Sequence, residues 1–76
     1  MNNIRRKNIQ EIIDRLEELK SDFESLKDEE EEYRDNIPEN LQSSERYEKA
    51  DEACDNLYSA FDSLEEAISY MEDAIA

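Results

Sequence analysis

The sequence lacks the residues on which most catalytic and metal sites depend. Its 76 residues include no histidine, no tryptophan and no glycine, and only one cysteine and one proline. Without histidine there is no imidazole for general acid–base chemistry or for the Glu-x-x-His pairs of a di-iron bundle. Without glycine there is no phosphate-cradling loop and no sharp turn around calcium. We therefore expect no enzyme activity, no catalytic residue, no bound metal and no cofactor.

The single thiol and the shortage of apolar runs suggest where the protein works. Cys54 has no partner for an internal disulfide, which fits a reducing compartment. Basic residues 5–7 resemble the start of a signal peptide, but polar Gln10 and Glu11 follow where an apolar segment would be needed. No apolar run exceeds three residues, against about 20 for a membrane-spanning helix. These features predict a soluble, cytoplasmic protein.

Positive charge is scarce. The chain has 23 Asp and Glu against nine Lys and Arg, so its formal net charge is −14. A surface of this sign repels nucleic acid and anionic membranes, so neither is expected as a direct partner. A protein with a basic, nucleic-acid-binding surface is the expected partner. Such a composition would favour disorder unless the apolar residues were regularly spaced.

Apolar residues in each half of the chain recur at alternating steps of three and four, the a and d rows of a heptad repeat. In the first half they are Ile9, Ile12, Leu16, Leu19, Phe23, Leu26, Tyr33 and Ile37. In the second half they are Tyr47, Ala50, Cys54, Leu57, Phe61, Leu64, Ile68, Met71 and Ile75. The two rows predict two long, coiled-coil-like helices and an all-α fold.

The segment around Pro38 separates the two helices. Proline disfavours helical conformation in the preceding residue and lacks an N–H, so helix 1 should end near Asn36. Ser43 or Ser44 can cap helix 2. A loop this short makes the helices antiparallel. The predicted elements of the single domain, residues 1–76, are helix 1 over about 3–36, a loop over about 37–43 and helix 2 over about 44–75.

The e rows, next to the a rows, test this antiparallel pairing, because the numbers of facing residues must sum to a constant. From the loop outward, each predicted pair sums to 85: Arg34 with Asp51, Lys27 with Tyr58, Lys20 with Glu65, and Ile13 with Glu72. Exposed ion pairs contribute only about 0.2–1 kcal/mol each. We therefore expect these pairs to select the register more than to supply stability.

Two residues on the apolar rows need separate interpretation. Cys54 has no basic neighbour on its face, so we expect a small buried core residue, with a disulfide across a dimer axis as the alternative. Glu30 interrupts the first row opposite Cys54 or Leu57. It is exposed by fraying, pairs with Lys27 or Arg34, or tunes specificity at a cost in stability.

Small residues form the g row of helix 2, on its other flank. They are Ala53, Ala60, Ala67 and Ala74. A two-helix hairpin leaves one side of its core open, and small side chains let another helix approach closely. We predict that this row is an oligomerisation surface for a second copy, which gives a homodimeric four-helix bundle. A groove-binding partner is the alternative occupant.

The outward b, c and f rows of helix 1 are acidic and contain no interspersed cation over their central length. The residues predicted to bind a partner are Glu17, Glu18, Glu24, Asp28, Glu31, Glu32 and Asp35. An acidic rod of this kind can mimic nucleic acid and occupy the Lys/Arg groove of a DNA- or RNA-binding protein. Tyr70, and also Tyr58, are candidate aromatic anchors. The competing interpretation is that the carboxylates only keep the helices in solution.

Residues 36–48, NIPENLQSSERYE, precede heptads rich in Ala and Leu. In this the chain resembles small acidic helical proteins encoded by phages and mobile elements of Gram-positive bacteria. The resemblance covers nearly the whole chain and implies an accessory role in the cytoplasm of a bacterial host cell, but no particular activity. Our first hypothesis is an anti-defence inhibitor that blocks a defence or replication factor. The second is a structural or assembly module acting through its Ala-lined apolar stripe.

Overall fold

The computed structural model describes residues 1–41 and 43–76 and confirms the all-α helical hairpin. Helix α1 spans Asn3–Asp35, a single 3₁₀ turn spans Glu39–Leu41, and helix α2 spans Glu45–Ile75. The hairpin is 59 Å long and 16 by 13 Å in cross-section. Gln42, which belongs to the predicted loop, lies outside the described residues.

Side chains cap both helices at their N-termini. The Asn2 side chain accepts a hydrogen bond from the backbone N–H of Arg5 at 2.7 Å. The Ser44 hydroxyl accepts one from the N–H of Tyr47 at 3.3 Å. Each cap satisfies an N–H that has no partner within its helix. From the sequence either Ser43 or Ser44 could cap α2, and in the structure the cap is Ser44.

Helix α1 ends where Pro38 predicts. The N–H of Asn36 still donates to the carbonyl of Glu32, whereas the N–H of Ile37 donates to Arg34 in a tighter turn. Ile37 is buried at the closed end of the hairpin. The Ile37 side chain is therefore the last apolar residue of the core at the loop end of the hairpin.

Three of the four predicted e-row pairs are in contact. The distances are 3.0 Å from Arg34 Nη1 to Asp51 Oδ1, 3.5 Å from Lys20 Nζ to Glu65 Oε1, and 5.5 Å from Lys27 Nζ to the centre of the Tyr58 ring. These contacts confirm the antiparallel register. The fourth pair stays a prediction, with Ile13 buried and Glu72 exposed.

The core is a single thin layer between the a and e rows of α1 and the a and d rows of α2. Phe23 and Phe61 stack at its centre, with ring centres 6.3 Å apart and planes 9° apart. The buried apolar residues are Ile13, Ile37, Ala50, Cys54, Phe61 and Ile68. Two helices alone enclose little volume, so each core residue keeps some contact with solvent at an edge of the layer.

The rotation of α1 differs from the one that its apolar rows predict. The d row of α1 is exposed, with Leu19 at 60% and Leu26 at 61%, whereas the e-row residue Lys27 is only 8% exposed. The expectation that α1 buries its a and d rows, with exposed e-row pairs beside them, is therefore wrong. The physical reason is that lysine stems are apolar and can pack while the charged ends reach polar partners. The ammonium groups of Lys20 and Lys27 lie 5.7 and 5.6 Å from the centre of the Phe61 ring.

Candidate protein-binding surface

The predicted acidic face lies on the side of α1 that points away from α2. Because α1 seats its a and e rows against α2, its b, c and f rows face outward. Six of the seven predicted residues are exposed, and Glu31 is half-buried at the edge of the interface. The face therefore covers the outer side of α1 from Glu17 to Asp35, the half of the helix nearer the loop.

Four of these seven carboxylates form ion pairs with cations of α1. The pairs are Glu17 with Lys20 at 3.6 Å, Asp28 with Lys27 at 3.2 Å, Glu31 with Lys27 at 3.3 Å, and Asp35 with Arg34 at 3.0 Å. Glu18, Glu24 and Glu32 have no ion pair among residues 1–41 and 43–76. These three carry the negative charge that is most available to a partner.

The cations of the e row are drawn into the interface between the helices. A hydrogen bond to Asp28 raises the pKa of Lys27 more than burial lowers it. A hydrogen bond to Asp35 likewise raises the pKa of Arg34. Both side chains therefore stay charged while they hold the two helices together. As a result, the e-row cations of α1 point toward α2 and the predicted acidic face points away from it, while the other six cations of the chain are exposed.

The acidic residues of α2 lie on one half of the helix. Its carboxylates occupy only the e, b and f rows, which are Glu45, Glu48, Asp51, Glu52, Asp55, Asp62, Glu65, Glu66, Glu72 and Asp73. The d, g and c rows, on the opposite half, contain no carboxylate. This separation of acidic from acid-free rows can be read from the sequence once each Asp and Glu is assigned to a heptad row. The number of Asp and Glu residues along the chain does not reveal it.

The acid-free half of α2 adjoins a continuous apolar surface, which we call the open face. Because the e rows of both helices meet on one side of the hairpin, the d and g rows share the other side. The open face consists of Ile12, Leu19, Leu26 and Tyr33 from α1, and Leu57, Leu64, Met71, Ala53, Ala60, Ala67 and Ala74 from α2. All of these residues are exposed or half-buried. The predicted alanine row thus lies within a surface two helices wide.

A shallow groove lies at the loop end of the open face. Glu30, Tyr33, Arg46, Lys49 and Ala50 line it. The Nε–H of Arg46 donates to the Tyr33 hydroxyl at 2.8 Å, and the guanidinium lies 5.2 Å from the Tyr33 ring centre. Glu30 is half-buried there beside two cations of α2. Glu30, which interrupts the apolar row of α1, therefore lies in a small polar region at the loop end of the open face.

Cys54 is confirmed as a core residue, 3% exposed between the helices. Burial raises the pKa of its thiol, and the positive charge of Arg34 opposes that effect only in part. The thiol therefore stays protonated at neutral pH and is an inert apolar side chain. Tyr58 and Tyr70, the candidate anchors, are both exposed.

Comparisons of the chain with protein-family models, with curated proteins and with solved structures give no match. Neither helix, over the residues that the structure describes, has a stretch both long and apolar enough to cross a bilayer. Within the same residues, no three carboxylate or thiol groups converge as metal ligands.

Proposed function

We propose that the protein is a small acidic binding protein whose outer α1 face occupies a basic, nucleic-acid-binding surface of another protein. The supporting observation is the separation of charge in the hairpin. Lys20, Lys27 and Arg34 lie in the interface between the helices, whereas Glu18, Glu24 and Glu32 point outward and have no ion pair within the described part of the chain. A partner that approaches the outer face would meet carboxylates and few competing cations.

The charge density of the rod supports mimicry of nucleic acid. A net charge of −14 over a length of 59 Å is about one charge per 4 Å, against about one per 1.7 Å for duplex DNA. A dimer of the same length would carry one charge per about 2 Å. Such a field speeds the encounter with a basic protein and makes binding sensitive to salt.

The proposed partner is a host defence or replication factor. The resemblance of residues 36–48 and the following heptads to proteins of phages and mobile elements supports an inhibitor made inside a bacterial host cell. In this proposal the chain competes with DNA or RNA for the partner and contacts neither nucleic acid nor membrane itself.

The proposed function is tested with the immobilised protein in lysate of a Gram-positive bacterium, and captured proteins are identified by mass spectrometry. The test variant reverses the charge of Glu18, Glu24 and Glu32 with lysine. We expect wild type to retain a nucleic-acid-binding protein that duplex DNA or high salt displaces, and the variant to lose it.

A matched control variant changes the net charge equally by placing lysine at Asp55, Asp62 and Asp73 on α2. It should retain binding better than the α1 variant if the outer α1 face makes the contact. Capture that survives both high salt and the α1 variant would contradict the proposal. So would recovery of the immobilised protein alone.

A structural or assembly module is the second candidate function. The observation that favours it is the exposure of Ala60, Ala67 and Ala74 beside the apolar d rows. The substitutions Ala60→Glu and Ala67→Glu should disrupt such a module and spare the outer charge, whereas reversals at Glu18, Glu24 and Glu32 should leave it unaffected.

A further inference from the structure

The open face is of a size that a specific interface needs. It covers residues 12–33 of α1 and 53–74 of α2, about 32 Å of the 59 Å length of the hairpin. With the 16 Å width of the hairpin this is about 500 Å² in projection, and two such faces together reach the total of about 1,000 Å² from which a specific interface is expected. The hairpin also needs further burial, since its core is one thin layer and small domains of this size seldom supply more than a few kcal/mol alone.

We propose that a second copy of this chain covers the open face, with the two hairpins antiparallel and their loops at opposite ends. This inference does not depend on the proposed binding of a basic partner. The open face is two helices wide, so a surface of the same width matches it best. Every copy of the chain carries the same open face, so a matching surface is present wherever the protein itself is present.

The charge pattern favours a second copy over a basic partner. Two chains of net charge −14 repel each other least where both lack carboxylates, which is the d, g and c side of α2. A basic protein would instead be drawn to the outer carboxylates. The open face is therefore self-complementary, as a twofold interface requires.

The register of the open face is symmetric about its midpoint. Residues of the two d rows that lie at the same level along the hairpin have numbers that sum to 83. Leu19 therefore lies level with Leu64, and Leu26 lies level with Leu57. A twofold axis perpendicular to the helices can pass between these two levels. It places the Leu19 level of one hairpin opposite the Leu26 level of the second copy. It also brings Ala60 opposite its own copy, and small residues at this point allow close approach of the two α2 helices.

The g row of α1 favours loops at opposite ends. In that arrangement Arg15 lies level with Glu29 of the partner subunit on both sides of the axis. These two opposite-charge pairs outnumber the single like-charge encounter of Asp22 with its copy. With loops at the same end, α1 would face the alanines of the partner's α2, these ion pairs would be lost, and the acidic residues 28–32 of both copies would lie at the same level.

Disulfide cross-linking tests both the dimer and its orientation. In a Cys54→Ala background, Ala60→Cys should form a disulfide-linked dimer under mild oxidation, because the two sulfur atoms meet at the axis. Ala74→Cys in the same background is the control. Its two copies should lie about 40 Å apart along the helices, beyond the reach of a disulfide, which needs Cα atoms within about 7 Å.

Sedimentation equilibrium supplies an independent measurement on the intact chain. We expect wild type to show twice its monomer mass of 9.0 kDa. Leu26→Glu should shift the mass toward the monomer, whereas Ser25→Glu, which adds the same charge outside the open face, should not. Circular dichroism on each variant identifies any loss of helix.

A wild-type mass of 9.0 kDa at high concentration would overturn the proposal. A dimer that cross-links through Ala74→Cys and not through Ala60→Cys would overturn it as well, since that result requires a different orientation. Equal dissociation by Leu26→Glu and Ser25→Glu would show that the open face is not the interface.

Discussion

Lys27 is a charged residue that the hairpin uses as part of its core. It is 8% exposed, its ammonium lies near the rings of Tyr58 and Phe61, and it forms ion pairs with Asp28 and Glu31. The stem fills space between the helices while the ammonium keeps polar partners. The same charge elsewhere on the surface would do little for stability.

The substitution Lys27→Glu should lower the melting temperature more than Lys49→Glu does. Both variants change the net charge equally, but Lys49 is exposed and pairs only with Glu45 among the described residues. At residue 27 the new carboxylate would be buried beside Asp28 and Glu31, with two aromatic ring faces that repel anions. Thermal unfolding followed by circular dichroism measures the difference. Equal melting temperatures would show that Lys27 is not a core residue.

The burial of Lys27 also marks the limit of prediction from this sequence. The spacing of apolar residues predicted both helices, the short loop predicted their antiparallel pairing, and the e rows predicted three of the contacts between them. It did not reveal how far α1 turns about its axis, because the pattern counts lysine as polar throughout. That rotation is visible only in the structure, where the ammonium groups of Lys20 and Lys27 lie over the Phe61 ring and Leu19 and Leu26 are exposed.

At the scale of elements, the two helices depend on their end residues because the core between them is thin. Helix α2 begins with Ser44 as its cap, and Glu45 and Glu48 follow in the first turn. The carboxylates favour the positive end of the helix dipole, and the serine satisfies a free N–H. This start of α2 was predictable from residue types. The choice between two adjacent serines was not, since both can cap.

The substitution Ser44→Ala should lower the free energy of unfolding by about 1 kcal/mol, because the N–H of Tyr47 loses its acceptor. Urea unfolding followed by circular dichroism measures the change. Ser43→Ala, one residue earlier, should change the free energy by no more than a few tenths of that amount. If the two variants were equally destabilised, the cap would not be at Ser44.

At the scale of the whole molecule, the acidic surface opposes folding. The net charge of −14 that remains after all nine cations are counted is confined to a rod 59 Å long. Self-repulsion of this kind destabilises a compact state and is screened by salt. The position of the candidate surface was predictable from the heptad rows that the acidic residues occupy, whereas the four ion pairs that involve part of it depend on side-chain geometry.

The melting temperature should therefore rise between about 0.01 M and about 1 M sodium chloride, over which the Debye length falls from about 30 Å to about 3 Å. A variant with glutamine at Glu18, Glu24 and Glu32 should melt higher at low salt and respond less to added salt. A melting temperature that falls with salt would mean that the interface ion pairs outweigh the repulsion.

The constant sum of 85 along the e rows limits how the length of this protein can change. One extra residue in either helix would turn every later side chain by about 100° and break the rows. Seven extra residues in one helix would keep its rows but lengthen it by about 10 Å without a matching partner. Only paired changes preserve both, such as the loss of residues 17–23 together with residues 62–68, whose end numbers also sum to 85. Related hairpins of different length should therefore differ by one heptad in each helix.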